Sequence, residues 1–538
     1  MVIKLKINNF KVITGQTSTE TILKILLDNR QIKDFPLFLK PPYPGLKLSS
    51  KKAVSIINEH LKSSKNILIY GDYDVDGLTS TAILWQSLYS ISSKVTPFIP
   101  HRQNDGYGFK ADSLFRFQKN KKIIFDLVIT VDNGIVAEKE FAKAKKKNKD
   151  LKIVVVDHHL AGEKLNSVDA IYHSTQTSAS ALSWFLAKNF TKSPSLSLAA
   201  LGVVADCQPL TGLNRSLVFH GLGELKVNPP PGLKKLLEIA GAKQDSVGVY
   251  ELGYIIGPRL NATGRLADAT DSLRLLCSQN SLQASKYARI LEDHNQNRQE
   301  LQKESIDVAE ESLGRDAINH VSGQNNKIIF ITGSFNPGII GLIASRLTQK
   351  YALPSVIIST QDNIARGSCR SIPEVDIITT LRKFNDLFVD LGGHRGAAGF
   401  SILPQNIPKL KKQLIKHFSL SLANYLPSNT IFVDARMDIS AVNLKNIKLI
   451  NSLSPFGIGN QEPQFLFENV KIDNLSTLGK NQEHLKFKVG HIDILAFKKA
   501  SDFSYLKNGD AISFVARLNS NTWNGNTFPQ LIIQEIMK

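Results

Sequence analysis

At 538 residues, with 42% of them hydrophobic and 21% charged, the chain has the balance of a soluble globular protein and the length for roughly two to four domains. Lys and Arg outnumber Asp and Glu by 66 to 47, a net charge of +19 that favours polyanions, either nucleic acid or an anionic surface. No apolar run reaches the ~18 residues of a membrane span, MVIKLKINNF lacks the apolar core of a secretory signal, and Cys207, Cys277 and Cys369 lie apart with no CxxC pair, so a disulfide framework and a cysteine zinc site are excluded and a cytoplasmic, membrane-free protein is expected.

Residues 1–50 are loosely patterned and end in the Pro-rich KPPYPG, which reads as an irregular lead-in. From 51 to 280 helical and strand patterns alternate. KKAVSIINEHLKS is an amphipathic helix, NILIY a buried strand and LTSTAILWQSLYS a helix, and FDLVITVDNG and KIVVVDHH repeat the scheme. This alternation predicts an α/β domain with a mostly parallel sheet and helices on both faces. AKAKKKNKD (142–150) reads as a solvated helix end, and KVNPPPGLKK (226–235) as a Pro-rich loop. Residues 281–316 are dense in helix formers and lack Pro, which predicts a long, largely exposed helix bridging two domains. A second α/β unit, 317–426, runs through the strand KIIFITG, the helix GIIGLIASRLTQKY and the strand SVIIST. Residues 427–538 read as β: TIFVDARM, QFLFENVKI, HLKFKVG, DILAFK, AISFVARL and PQLIIQEI, with turns such as NGN, suggest a small OB-like barrel. There is no P-loop, which counts against a motor or ATPase.

The chemistry concentrates in ILIYGDYDVDG (67–77), where Asp72, Asp74 and Asp76 occupy alternate residues just as a hydrophobic strand ends. D-x-D-x-D-G also opens a calcium-binding EF-hand loop. Its twelfth position, counted from Asp72, is Ile83 instead of a bidentate Glu, and a strand precedes it, so the calcium reading fails. Asp132 follows LVITV, Asp157-His158-His159 follow IVVV, and Asp206 ends the apolar stretch AALGVVA. Ligands of parallel sheets bind at the carboxyl ends of the strands, and these clusters would meet there. Asp and His donors without Cys suit Mn²⁺ or Mg²⁺, less so Zn²⁺, and a pair of ions with Asp132 between them is the arrangement that splits phosphoesters.

YGDYDVDG, VDNG, VDHH and VADCQPL resemble the four ordered motifs of the DHH phosphoesterase superfamily. IPHRQNDGYGF (99–109), GPRLNATGRL (257–266), ARGSCRSIPEVDI (365–377), GGHRGAAGF (392–400) and SPFGIGNQEPQF (454–465) are similar, in the same order, to segments of the RecJ family within it. The resemblance runs from about residue 35 to the C-terminus. It implies a DHH catalytic domain, a substrate-binding second domain and an OB-like domain, acting as a 5′→3′ exonuclease on single-stranded DNA in repair and recombination.

By this similarity Asp74, Asp76, Asp132, His158 and Asp206 would hold two ions, Mn²⁺ or Mg²⁺, with Asp132 bridging. Asp72 would be a further ligand or would orient one, since some relatives carry a His there. His159 would face the phosphate and, with Asp132, act in catalysis. Arg102, Arg259, Asn261, Arg265, Arg366, Ser368, Arg370, Ser371, Gly392, Gly393 and His394 would hold the strand, with Ser368 and Arg370 on the 5′-terminal phosphate; ARGSCRS reads as a Gly/Ser-rich loop offering Arg forks and backbone N–H groups. The interdomain cleft would admit one strand, and Phe465, Phe487 and Trp523 are available either for base stacking or as barrel core. A single-strand-binding protein and a helicase are expected partners, and the protein is expected to be a monomer. Asn336 in SFNPGIIG stands where the family carries a His. Two alternatives share these motifs: a phosphodiesterase for oligoribonucleotides or cyclic dinucleotides, and a non-catalytic nucleic-acid-binding module.

Overall fold

The computed structural model describes residues 2–8, 11–102, 104–320, 327–425 and 428–537. The chain divides into two compact units: Leu5–Asn261 with Ala269–Ala288 and Ile431–Lys538, and Met1–Lys4 with Ala262–Asp268 and Arg289–Thr430.

In the larger unit, ILIY, LVITV and most of KIVVVD are apolar on both faces and wholly buried, as strands covered on both sides must be. They belong to a parallel five-stranded sheet in the order Val95–Phe98, Ile67–Tyr70, Leu127–Val131, Lys152–Asp157, Ala170–His173. After Ile67–Tyr70 the chain crosses outward to Val95–Phe98 and then returns to the other side of its starting strand. That reversal opens a crevice at the carboxyl ends of Ile67–Tyr70 and Leu127–Val131. Helix Val75–Tyr89 starts in the crevice, its N-terminus capped by Asp74. Helices Ala179–Ala187 and Leu196–Ala205 are apolar nearly all round and pack against it. Helix Pro231–Ile239 begins inside KVNPPPGLKK, so the Pro-rich loop shortens to a helix start with Pro in the first turn, where its missing N–H costs nothing.

The first fifty residues are not an irregular lead-in. Ser18 caps helix Thr19–Asn29, and Val12–Ile13 joins an eight-stranded sheet as its edge. Ile13, Ile22, Leu26 and Phe38 share one core with Phe465, Phe467, Phe487 and Phe514 of the C-terminal β region. Arg30 fastens the segment, donating to Asp434 Oδ1 at 2.8 Å. The sheet runs Asp473–Leu478, His484–Val489, Ile492–Ala496, Asn526–Met537, Ala511–Trp523, Phe465–Lys471, Ala435–Met437, Val12–Ile13. Its long hairpin turns at Asn524 and Gly525, with φ of 48° and 79°, the left-handed pair that a two-residue hairpin turn requires. Phe465 and Phe487 are core, whereas Trp523 at the hairpin tip is 70% exposed.

Helix Ser281–His320 runs 40 residues, and it is not simply an exposed bridge. Leu301, Ile306, Ala309 and Leu313 form a stripe packed on Ile329, Ile340 and Ile343 of the smaller unit. That unit's sheet has the order Phe388–His394, Ala397–Ile402, Ala365–Arg370, Ser355–Ser359, Ile329–Gly333. Only the last two strands are parallel, and helix Ile340–Tyr351 lies between them in sequence. ARGSCR, expected as a loop, is the central strand. Gly367 is required there because the Phe400 ring fills the space a Cβ would take.

Candidate active site

Asp72, Asp76 and Asp132 are each 2% exposed at the crevice, while Asp74 stands at its rim. Asp72, Asp74 and Asp76 are positioned by backbone donors. Asp74 accepts from Gly77 N at 3.0 Å as a helix cap. Asp76 accepts from Ala179 N at 2.7 Å and Ser180 N at 3.0 Å, the first amides of helix Ala179–Ala187. Gly202 allows this approach, since a Cβ there would fall on Ser180 and Asp76. Asp132 has φ of 61°, a left-handed turn that points its carboxylate back into the crevice, and its N–H donates to Val156 O at 3.0 Å. Beside it, the Asn133 amide ties the strand ends together through Gly71 O at 3.1 Å and Val131 O at 2.9 Å.

His158 Nε2 aims at the centre of this ring. It lies 3.2 Å from Asp132 Oδ1 and 3.7 Å from both Asp76 Oδ2 and Asp206 Oδ2. Asp206 arrives from the C-terminal cap of helix Leu196–Ala205 and not from a strand, and its Oδ2 accepts from Gln208 Nε2 at 2.7 Å. Asp132 Oδ1 and His158 Nε2 are buried without a hydrogen-bond partner. Orphaned buried atoms of this kind cost a few kcal/mol unless something satisfies them. Three overlapping sets bring donor atoms within 4.8 Å of one another: Asp132 with His158 and His159, Asp76 with His158 and Asp206, and Asp72 with Asp74 and Asp132. The donors are oxygen and imidazole nitrogen only, so the set fits hard divalent cations.

The electrostatics agree with that fit. Burial and the neighbouring Asp74 push the Asp72 carboxyl up to about 8, and burial with Asp76 pushes Asp206 up to about 7. Burial, Asp76 and Asp74 raise Asp132 well above the carboxylate range. Carboxylates crowded into low dielectric gain most from a cation among them. Burial lowers the His158 pKa, leaving a neutral imidazole, the form that ligates metal.

His159 is different. Burial works against its charge, but the hydrogen bond from Nδ1 to Asp157 Oδ1 at 2.8 Å outweighs it and pushes the ring up to about 9. Asp157 also takes the N–H groups of His158 at 2.7 Å, His159 at 3.1 Å and Ile135 at 2.9 Å. It is therefore the residue that fixes both histidines, a role the Asp-His-His spelling carries but the sequence reading left unassigned. Tyr107 was also missed; its hydroxyl lies 3.2 Å from His159 Nε2. The Arg102 guanidinium sits 5.2 Å over the Tyr73 ring, and its charge partly offsets the rise at Asp72.

Arg259 and Asn261 fall on helix Gly257–Leu266, with Arg259 Nη1 donating to Ile255 O at 2.8 Å. Arg265 belongs to the smaller unit and donates to Gly338 O at 3.3 Å. In that unit strand alternation buries Ala365, Gly367 and Cys369 and turns Arg366, Ser368 and Arg370 to the opposite face. Register extends the face: Ser368 pairs with Gly399, which pairs with Gly392, and Arg370 pairs with Ala397, which pairs with His394. Gly392 and Gly399 leave open floor between the polar groups. Arg370 Nη1 reaches Ser368 Oγ at 3.3 Å, and both groups lie beside Gly341 in the first turn of helix Ile340–Tyr351, whose amides add positive potential. Gly393 and His394 are exposed on the edge strand. Ser371 is committed elsewhere, its hydroxyl donating to Val375 O at 2.9 Å. Asn336 Oδ1 accepts from Gly338 N at 2.8 Å and shapes the turn before that helix.

The sheet order and the carboxylate crevice have the form of the DHH class. Residues 66–209 match the DHH family N-terminal domain, 325–419 the DHHA1 domain and 433–535 the RecJ OB domain. Within that class the chain is most like proteins of the RecJ family. It is 30% identical over 505 residues to the single-stranded-DNA-specific exonuclease RecJ of Bacillus subtilis, a match covering 90% of this chain and 63% of that relative's length. Against RecJ of Escherichia coli it is 26% identical over 554 residues, covering 94% and 93%. The crystal structure of Thermus thermophilus RecJ with Mn²⁺ superposes with a TM-score of 0.82 at 25% identity, covering 100% of this chain and 80% of that one.

Proposed function

We propose that the protein is a metal-dependent exonuclease that degrades single-stranded DNA from its 5′ end to mononucleotides, in DNA repair and recombination. One observation carries the reading: Asp132 Oδ1 and His158 Nε2, buried and without hydrogen-bond partners, face each other at 3.2 Å inside a ring of carboxylates. Asp72, Asp74, Asp76, Asp132, His158 and Asp206 would hold two ions, Mn²⁺ or Mg²⁺. Bound there, such ions supply Lewis acidity toward a phosphodiester and lower the pKa of water.

The protein's own groups do the rest. The amides of helix Ala179–Ala187 hold both oxygens of Asp76 in place, and Gln208 holds one oxygen of Asp206. Asp157 keeps His159 charged, so that His159 Nε2–H serves as a donor to a non-bridging phosphate oxygen as negative charge grows there. Arg102 adds a cation at the same rim. Arg366, Ser368, Arg370 and His394 would take the 5′-terminal phosphate, while Gly392 and Gly399 let the sugar-phosphate backbone come close. The three cysteines are free thiols and no helix among the described residues is long and apolar enough to cross a membrane, which supports work in a reducing cytoplasm.

The test is a single-stranded oligonucleotide labelled at its 3′ end, incubated with Mn²⁺ beside an Asp132→Ala control and a matching duplex. A ladder shortening from the 5′ end, only on the single strand and only with Asp132 present, is the expected result. Binding without a ladder would overturn it and favour a non-catalytic module, and turnover of dinucleotides alone would favour a small-nucleotide phosphodiesterase.

A further inference from the structure

One local geometry in the larger unit has no part in the hydrolytic chemistry. Residues Glu251–Ile256 form a π-helical turn, a wide coil that recurs at functional sites. Leu252 and Ile256 are buried beneath it. Tyr250 and Tyr254 are 62% and 72% exposed. Their rings stack on one another, with centroids 5.2 Å apart and planes 23° from parallel. Two large aromatic side chains held in register and offered to solvent form a ready π surface.

The position of this pair argues for its use. Gly253, between the tyrosines, lies against the end of helix Leu196–Ala205: a Cβ there would sit 3.5 Å from Val204 Cγ1, two residues before Asp206. Val249 lies 3.7 Å from the Cβ position of Gly457, whose nearest neighbour is Leu210, just past Asp206. The turn is thus packed against the helix end that delivers a candidate metal ligand. One helical turn onward stands Arg259, its Nη1 fixed on Ile255 O at 2.8 Å.

We propose that Tyr250 and Tyr254 form a stacking platform for the bases of the strand a few nucleotides beyond the end being cut. The inference rests on the exonuclease reading and adds the path of the substrate to it. Base stacking on aromatic rings is tolerant of sequence, because every base has a π face. It also discriminates by pairing state: bases of a duplex already stack on their neighbours and cannot lay their faces on protein rings. Selection of single strands would then be partly chemical, made by these rings, and not only a matter of width.

The test compares the full-length enzyme with Y250A/Y254A and Y250F/Y254F on a 3′-labelled strand in Mn²⁺, and repeats the comparison with abasic sites placed a few nucleotides from the 5′ end. The Ala pair should raise KM on the ordinary strand by roughly tenfold or more with kcat little changed. The Phe pair, which keeps the rings, should restore the wild-type KM. On the abasic strand the wild-type enzyme should already show the raised KM, and the Ala pair should add nothing to it. Unchanged KM for the Ala pair, or an equal loss on ordinary and abasic strands, would overturn the platform while leaving the exonuclease reading intact. Absence of any cleavage by the wild-type enzyme would instead sink the exonuclease reading and the platform with it. Melting curves confirm that the substituted proteins are folded.

Discussion

In the proposed function the carboxylate crevice and the basic face would meet the same phosphate backbone by opposite means. In the crevice the candidate side chains arrive from four separate loops and helix ends, at residues 72–76, 132, 157–159 and 206, and are tied from behind. Asp76 is held by two amides of another helix, His158 and His159 by Asp157, Asp206 by Gln208, and Asp132 by a left-handed backbone. On the basic face nothing converges. Arg366, Ser368 and Arg370 come from one strand, Gly392 and His394 from another, and the ladder alone aligns them. A site assembled from loops depends on its supporting residues, whereas a site made by register depends on the sheet and tolerates loss of single groups.

That contrast gives an order of effects. Asp132→Ala removes the carboxylate shared by two of the ligand sets, so cleavage should fall to background while strand binding, measured by fluorescence anisotropy, stays near wild type. Retained turnover would break the two-ion assignment. Asp157→Ala leaves every candidate ligand in place and should still cost about 10- to 100-fold in activity or metal affinity, because both histidines lose their anchor. Titration of activity against Mn²⁺ checks it; a variant with unaltered metal dependence and rate would show that the support from behind is dispensable.

Much of the crevice was legible in the sequence because its signals are local. ILIY, LVITV and IVVVD are β-branched runs of strand length, and each stops at a carboxylate or histidine. Asp206 was legible as a residue but not in its setting, since AALGVVA is apolar all round and periodicity does not separate a buried helix from a buried strand. The N-terminal helix has a local signal, since TETILKILLDN carries a helical apolar stripe, but Pro36, Pro41, Pro42 and Pro44 just after it give the segment as a whole the look of irregular chain. The basic face was misjudged as a loop for a clearer reason. Gly, Ser, Cys and Arg have little strand preference, and ARGSCR becomes a strand only because Ser355–Ser359 and Ala397–Ile402 flank it on both sides. No local signal could have shown that Ser368, Gly399 and Gly392 fall in one row.

On the basic face the expected losses are smaller. Arg370→Ala removes one charged donor beside Ser368 and the helix start, so affinity for a 5′-phosphorylated strand should drop roughly tenfold to a hundredfold. The preference over a 5′-hydroxyl strand should narrow, and the slope of log affinity against log salt should flatten by about 0.7. An unchanged phosphate preference would move the 5′-phosphate site off this strand.

The smallest effect sharpens the contrast most, because it separates two residues next to each other in sequence. Ser371 follows Arg370 directly, yet it lies past the end of the strand and its hydroxyl donates to Val375 O at 2.9 Å. That bond closes the turn after the strand and leaves the hydroxyl proton unavailable to a phosphate. Ser371→Ala should therefore cost about 1 kcal/mol of stability, read as a small fall in melting temperature. Strand affinity and the 5′-phosphate preference should stay within about twofold of wild type. If Ser371→Ala instead weakened binding as much as Arg370→Ala while the melting temperature held, the hydroxyl would have to turn from Val375 toward the strand, and the face would extend beyond what register defines.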